Sequence, residues 1–346
     1  MDKKINYISA SRMDLLNQCS WQYWARYKLK VPSSGNDGSS KGSIVHLVLE
    51  FLFKDKHKKH YDYIKKNKTY KGDEALERLI NYHARKLSIF EDSHLDMIDK
   101  FLQVAINNNF FGPKSTVERY GEKEFKLTIK EKDKNYNVMG YIDQTFICKE
   151  KDGVLYAKCV DFKSSKRIFE KDKIDYNIQS IIYQLAIKYL YPNIKKRSLE
   201  FIFLAFPESP IIEQPQVLDE VLEGFECYLT SVQELIDNFD EKAAWSSFAA
   251  DKGYPAKDAG FSGLLVCGKA RYAGELKKDG NPMYYCEYKF PLDYYVTLNK
   301  EGEIINSAFN EKDLKIEKEQ KIEKRKYLGC AKFNGNNYKN PNLNHK

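Results

Sequence analysis

Gly140-Tyr-Ile-Asp-Gln-Thr-Phe-Ile147 and Val154-Leu-Tyr-Ala-Lys-Cys-Val-Asp-Phe-Lys163, joined through Lys149-Glu-Lys-Asp-Gly153, read as two strands of one hairpin. Both runs are rich in apolar and β-branched residues, and the connection supplies the polar Asp-Gly of a turn. An antiparallel pair of this length lets Asp143 and Asp161 face each other across the ladder. Side chains alternate along a strand, so Lys163 leaves the same face as Asp161, two residues earlier. Two hard oxygen ligands bind a divalent cation, and a lysine beside them polarises or deprotonates a water. That constellation hydrolyses phosphodiesters.

Three further segments fall in order around the hairpin. Lys41-Gly42-Ser-Ile-Val-His46-Leu-Val-Leu-Glu50 places His46 and Glu50 one turn apart on a helix. Gln179-Ser-Ile-Ile-Tyr183 puts an amide and a phenol one turn apart on the helix after the hairpin. Ser9-Ala-Ser-Arg12 leads through Cys19 to Tyr27. Taken in this order, with the Asp-x-Lys strand between, the set resembles the PD-(D/E)xK nuclease superfamily, and within it the RecB/AddB-type exonuclease branch.

The resemblance implies an α/β restriction-endonuclease-like core, a mixed central sheet flanked by helices. It implies a Mg²⁺- or Mn²⁺-dependent deoxyribonuclease with Asp143, Asp161 and Lys163 as catalytic residues. His46, Asp143, Asp161 and the backbone carbonyl of Phe162 would be the metal ligands. Gln179 and Tyr183 would grip the substrate, with Glu50 and Glu122 supporting the ligands; a solvent-facing strand position is the alternative for Glu122. The implied substrate is DNA, cut from its ends in recombination, repair or phage-type processing. Two rivals stay open: a non-catalytic DNA-end-binding subunit of a helicase–nuclease-like complex, and a restriction-type endonuclease.

Composition sets the outer limits. The chain has 346 residues, 42% of them apolar, enough for one large or two small domains. The net charge of +8 agrees with a polyanionic partner without identifying one. No run approaches the roughly 20 apolar residues of a membrane span, so no membrane partner is expected. The start, Met1-Asp-Lys-Lys-Ile-Asn-Tyr7, lacks a signal peptide's apolar core, which implies the cytoplasm, or a host's cytoplasm for a phage-encoded chain. No phosphate-binding Gly-x-x-x-x-Gly-Lys-Ser/Thr run occurs, so a DNA-translocating motor would be a separate helicase or recombination protein.

Along the chain, residues 1–40 read as an N-terminal helix running towards Lys30, then a loop over Ser33–Ser40. Residues 41–240 read as the nuclease core, carrying a helical insert at about 72–110 and a closing amphipathic helix over 216–239. Residues 241–346 form a cysteine-containing extension with a charged helical run over 311–326 and an Asn/Lys-rich tail. Trp21, Tyr23, Trp24 and Tyr27 are expected mostly in the core.

Seven cysteines in a reducing compartment are thiols or metal ligands. The resembled branch often holds a cluster on one early and three late cysteines. Cys19, Cys267 and Cys286 suit that pattern, and Cys330 offers a fourth thiolate where the usual compact spacing would put a ligand at Leu292. A 4Fe–4S cluster or zinc would fit four thiolates, and loss of the site stands equally open. Cys148, Cys159 and Cys227 are expected to be packed in apolar surroundings.

Overall fold

The computed structural model describes residues 5–33, 35, 37–131, 133–169, 177–252 and 264–334. The chain divides into two compact units, one of Met1–Ala10 with Gly35–Gln233, the other of Ser11–Ser34 with Glu234–Lys346.

Helix α1, Ala10–Gln18, opens the chain, and α2, Asp37–Phe53, follows. Next come α3, Lys58–Asn67, α4, Glu74–Lys86, and α5, Asp92–Asn107. Strands β1, Thr116–Glu131, β2, Lys134–Lys149, and β3, Leu155–Lys163, lead to α6, Ile178–Leu190. Strands β4, Lys196–Phe203, and β5, Ile211–Gln214, precede α7, Asp219–Asp237. The sheet runs in the order β1-β2-β3-β4-β5. Only β3 and β4 pair in parallel, because α6 carries the chain back between them. The expected mixed α/β architecture, the helical insert and the closing helix are all present.

Apolar residues of α2, α4 and α5 pack on one face of this sheet. Val48, Leu52, Ile98 and Leu102 meet Phe146, Val160, Phe162 and Ile202 in one buried cluster. Asp73 caps α4 by accepting from the amides of Ala75 and Leu76. Both motif glycines answer a close approach. A Cβ on Gly140 would stand 2.7 Å from the Phe125 ring, and one on Gly42 would stand 2.7 Å from Ser164 Oγ.

In the second unit, β6, Leu292–Leu298, pairs antiparallel with β7, Ile304–Ala308, and with β8, Lys321–Tyr327. Tyr294, Val296 and Leu298 point into a core with Ala25, Val31, Tyr288 and Tyr327. Three expectations are corrected by the structure. The charged stretch 311–326 is a short turn followed by a strand, not a helix, because pairing along β6 and burial of Tyr327 outweigh local helix propensity. The N-terminal helix breaks at Cys19, which is extended (φ −161°), before resuming at Ser20. The expected loop over Ser33–Ser40 is helical from Asp37. Tyr176, the expected start of the helix after β3, and the tail over 335–346 lie outside the described residues.

Candidate active site

Strand register brings the two aspartates together. The β2–β3 ladder pairs Thr145 with Cys159 and Gln144 with Val160, so the next step sets Asp143 opposite Asp161. Asp143 Oδ2 accepts from the Phe162 amide at 2.7 Å, fixing that carboxylate across the strand gap. Asp161 is buried, and Lys163 Nζ lies 2.6 Å from its Oδ2. That contact is an ion pair without hydrogen-bond angles, since Oδ2 has no hydrogen-bond partner.

Gln179 of α6 spans the pair. Its Oε1 accepts from Lys163 at 2.6 Å, while its Nε2 donates to Asp161 Oδ1 and to the Tyr183 hydroxyl, each at 2.7 Å. The amide orientation is dictated by its neighbours, because only the oxygen can face an ammonium. Tyr183 is buried, and its hydroxyl donates to the Tyr141 carbonyl at 2.5 Å. Expected as substrate contacts, Gln179 and Tyr183 have their polar atoms turned onto the catalytic side chains and the β2 backbone.

His46 reaches the same region from α2. Its Nε2 lies 3.1 Å from the Phe162 carbonyl oxygen, and its Nδ1 lies 3.2 Å from Asp143 Oδ1 and 4.0 Å from Glu122 Oε1. One ligand atom each from His46, Glu122 and Asp143 lie within 4.8 Å of one another. A cavity of about 10 Å³ lined by these residues, Glu50 and Phe162 has room for a single ion or water. Glu50 lines that cavity and pairs with Lys54 at 2.8 Å.

The electrostatics ask for a cation. Burial and the neighbouring Asp143 charge push Glu122 up to about 7. Burial would lower His46, but its hydrogen bond to Asp143 and the charges of Asp143, Asp161 and Glu122 win, raising it to about 9. Burial also raises Asp161, against the opposing Lys163 ammonium. Carboxyl groups and an imidazole all raised together mark a crowding of negative charge, which a divalent ion relieves. The donor set of imidazole, carboxylates and carbonyl also suits such an ion.

Two residues take different places from those expected. Glu122, read from sequence as a supporting or solvent-facing residue, stands in the ligand group. Its backbone has φ +46°, and the β1–β2 pairing skips it between Gly121–Gln144 and Lys123–Ile142. A strained backbone at that point turns the carboxylate towards Asp143; only strand register, invisible in one sequence, puts the two side by side. Asp161, expected as a ligand, lies outside the three-residue group and is engaged by Lys163 and Gln179.

The second unit gathers cysteines. Cys19, Cys267, Cys286 and Cys330 are all buried free thiols. Cys286 N–H donates to the Cys267 carbonyl at 3.1 Å, and Gln22 Nε2 donates to Cys286 Sγ at 3.2 Å. Burial pushes the Cys286 and Cys330 thiols up to about 12, with the charges of Cys19 and Cys267 adding to the rise in both. Of the remaining three, Cys148 and Cys159 are buried as expected; Cys227 is exposed on α7, a correction to the packed position expected for it.

The mixed sheet, crossed by α6, thus gathers two acids and a lysine where β2 and β3 meet, with a histidine delivered by α2. Residues 7–258 match the family model of the PD-(D/E)XK nuclease superfamily, and the chain belongs to that superfamily. Twelve chains of known structure match significantly. One is the crystal structure of SSO0001, at 15% identity over 69% of this chain and 80% of that chain, with a TM-score of 0.26. No curated protein matches significantly. Among the described residues, no helix is long and apolar enough to cross a membrane.

Proposed function

We propose that this chain is a Mg²⁺- or Mn²⁺-dependent deoxyribonuclease of the RecB/AddB-type exonuclease branch, hydrolysing phosphodiesters at DNA ends. The observation that carries this is the meeting of Asp143, Asp161, Lys163, His46 and Glu122 at one end of the β2–β3 ladder. His46, Glu122, Asp143 and the Phe162 carbonyl would hold the ion, with Asp161 adjoining them. The ion would supply a water of lowered pKa and neutralise charge on the phosphate. Lys163 holds an ammonium beside the reacting phosphate and stabilises the charge growing there. Gln179 keeps that ammonium and the Asp161 carboxylate in fixed orientation, and Tyr183 locks Gln179 to the sheet.

The direct test offers end-labelled single-stranded and duplex DNA, and circular DNA, with Mg²⁺, Mn²⁺ or EDTA. Metal-dependent release of short products from linear DNA, with circles spared, is the expected result. Cleavage of circles would favour the endonuclease rival, and no cleavage with either metal the non-catalytic one. The setting is recombination, repair or phage-type DNA processing, with strand separation supplied by a separate helicase.

We also infer that Cys19, Cys267, Cys286 and Cys330 bind an iron–sulfur cluster. The four lie buried in one unit, and Cys286 is tied to Cys267 by a backbone hydrogen bond. Anaerobically purified protein should be brown and contain iron and sulfide. Colourless protein with one zinc per chain, or with no metal, would refute the cluster.

A further inference from the structure

Lys289 is buried in the second unit, only 6% exposed. Its Nζ donates to the Gly268 carbonyl at 2.8 Å and to the Ala270 carbonyl at 2.7 Å, and the Phe333 ring centroid lies 4.5 Å away. Among the described residues no carboxylate pairs with it. Glu275, the buried acid nearby, accepts from Arg271 instead, at 2.9 and 2.7 Å. An ammonium taken out of water among neutral partners is strongly disfavoured, so a negative charge is wanted beside it.

The cysteines surround this residue along the chain. Lys289 N–H donates to the Cys286 carbonyl at 2.8 Å, and the Lys289 carbonyl accepts from the Cys330 amide at 3.1 Å. Its ammonium holds the carbonyls one and three residues beyond Cys267. One residue therefore ties three of the four cysteine segments together. Gly268 permits the third tie: its φ is +71°, and a Cβ there would stand 2.1 Å from the Tyr284 carbonyl oxygen. Burial and the neighbouring Cys19 push the Cys267 thiol up, while the Lys289 ammonium opposes them. Neutral thiols would leave that ammonium without a counter-charge. Four metal-bound thiolates would not, because their charge exceeds that of a zinc ion or an iron–sulfur core and leaves the centre net negative.

We propose that Lys289 is the positioning and counter-charge residue of the cysteine centre. It fixes the segments of Cys267, Cys286 and Cys330 relative to one another, and its ammonium offsets the net negative charge of the loaded centre. An electron added beside a fixed positive charge is stabilised, so Lys289 raises the reduction potential of the cluster. This rests on the cluster reading above and adds to it a residue that binds no metal.

The test uses full-length wild-type protein, Lys289→Met, Lys289→Gln and Lys289→Arg, all purified anaerobically and titrated with dithionite under electron paramagnetic resonance. Met removes the charge and the donor, Gln removes the charge but keeps a donor for the carbonyls, and Arg restores the charge. At the wild-type midpoint, the reduced-to-oxidised ratio should fall about tenfold or more in the Met and Gln variants, a shift of roughly 59 mV for one electron. Lys289→Arg should stay near wild type. A variant that keeps too little iron to titrate is read by Co²⁺ binding to the metal-free protein, followed by thiolate-to-cobalt absorption, with the same order of variants expected. Midpoints and Co²⁺ affinities that match wild type in both neutral variants, or Arg behaving as they do, overturn the role of Lys289 while the cluster stands. If wild-type protein holds zinc in place of iron, the cluster reading fails and Co²⁺ affinity still judges Lys289. Wild-type protein that binds neither iron nor Co²⁺ refutes both.

Discussion

Gln179 shows why single residues here resist one-to-one roles. Its amide is shared among Lys163, Asp161 and Tyr183, so the acid and the ammonium are held as a unit. Replacing Asp161 by Ala should abolish cleavage while DNA binding persists, because phosphate contacts elsewhere carry most affinity. Wild-type cleavage rates in Asp161→Ala, followed with labelled DNA, would end the reading. Lys163→Ala should lower turnover by about 10²–10³ with little change in the metal concentration for half-activity, as expected for loss of one electrostatic stabiliser. Glu122→Gln should act the other way, raising the Mg²⁺ requirement about tenfold or more while saturated turnover falls less. A metal titration of the two variants separates these outcomes. At this scale the sequence carried Asp143, Asp161, Lys163 and His46, because each sits in a patterned run. It offered Glu122 only as a supporting or solvent-facing residue, because its place depends on facing Asp143 across β1 and β2, and it gave no sign of the inward turn of Tyr183.

At the scale of elements, legibility followed periodicity. Helices α4 and α5 and strands β2 and β3 were readable from apolar spacing alone, since one face of each is buried in the same cluster. The stretch that became β8 was misread because Lys321-Ile-Glu-Lys-Arg-Lys-Tyr327 has helix-favouring composition, and its pairing partner lies in β6, far back in sequence. Docking of α7 on the sheet turns on one buried acid that no motif announces. Glu226 accepts from Tyr136 at 2.7 Å, from Tyr189 at 2.5 Å and from Lys134 at 2.9 Å. Burial raises this carboxyl, but the three hydrogen bonds outweigh it and hold the carboxyl below its ordinary range. A folded-state value below the unfolded one means the unfolded chain binds more protons as pH falls. The stabilisation is therefore full above the unfolded value and is lost as pH drops through the folded one. Glu226→Gln should cost about 1–3 kcal/mol at neutral pH, the range for hydrogen bonds to a charged group. The gap from wild type should close below about pH 4. Urea melts at both pH values check this; a gap that is constant or widens in acid would show that the charge is not the source.

At the scale of the molecule, the chain does not fold in the order in which it is written. Residues 11–34 join 234–346 in the second unit, and the nuclease sheet is built from what lies between. Within that unit the early segment is already tied to the late one. Ser20 Oγ donates to the Ala244 and Ser247 carbonyls, and Trp21 Nε1 donates to the Tyr327 hydroxyl at 2.8 Å. The sequence suggested a link of this kind only through cysteine spacing, and it set the boundary at residue 40 because a single chain shows no contacts. A centre on Cys19, Cys267, Cys286 and Cys330 would close a loop of most of the chain. Cross-links of that length remove on the order of 6 kcal/mol of unfolded-state entropy. Cys19→Ser, which deletes one ligand and little volume, should therefore destabilise the second unit by several kcal/mol. Amide exchange should rise around Trp21, Tyr288 and Tyr327, while β2 and β3 keep their protection. If exchange in Cys19→Ser matches wild type around Trp21 and Tyr327, the thiols hold no centre that matters to the fold. The aromatic packing of Trp21 with Trp245 and Phe248, at centroid distances of 5.7 and 5.9 Å, then suffices to join the two segments.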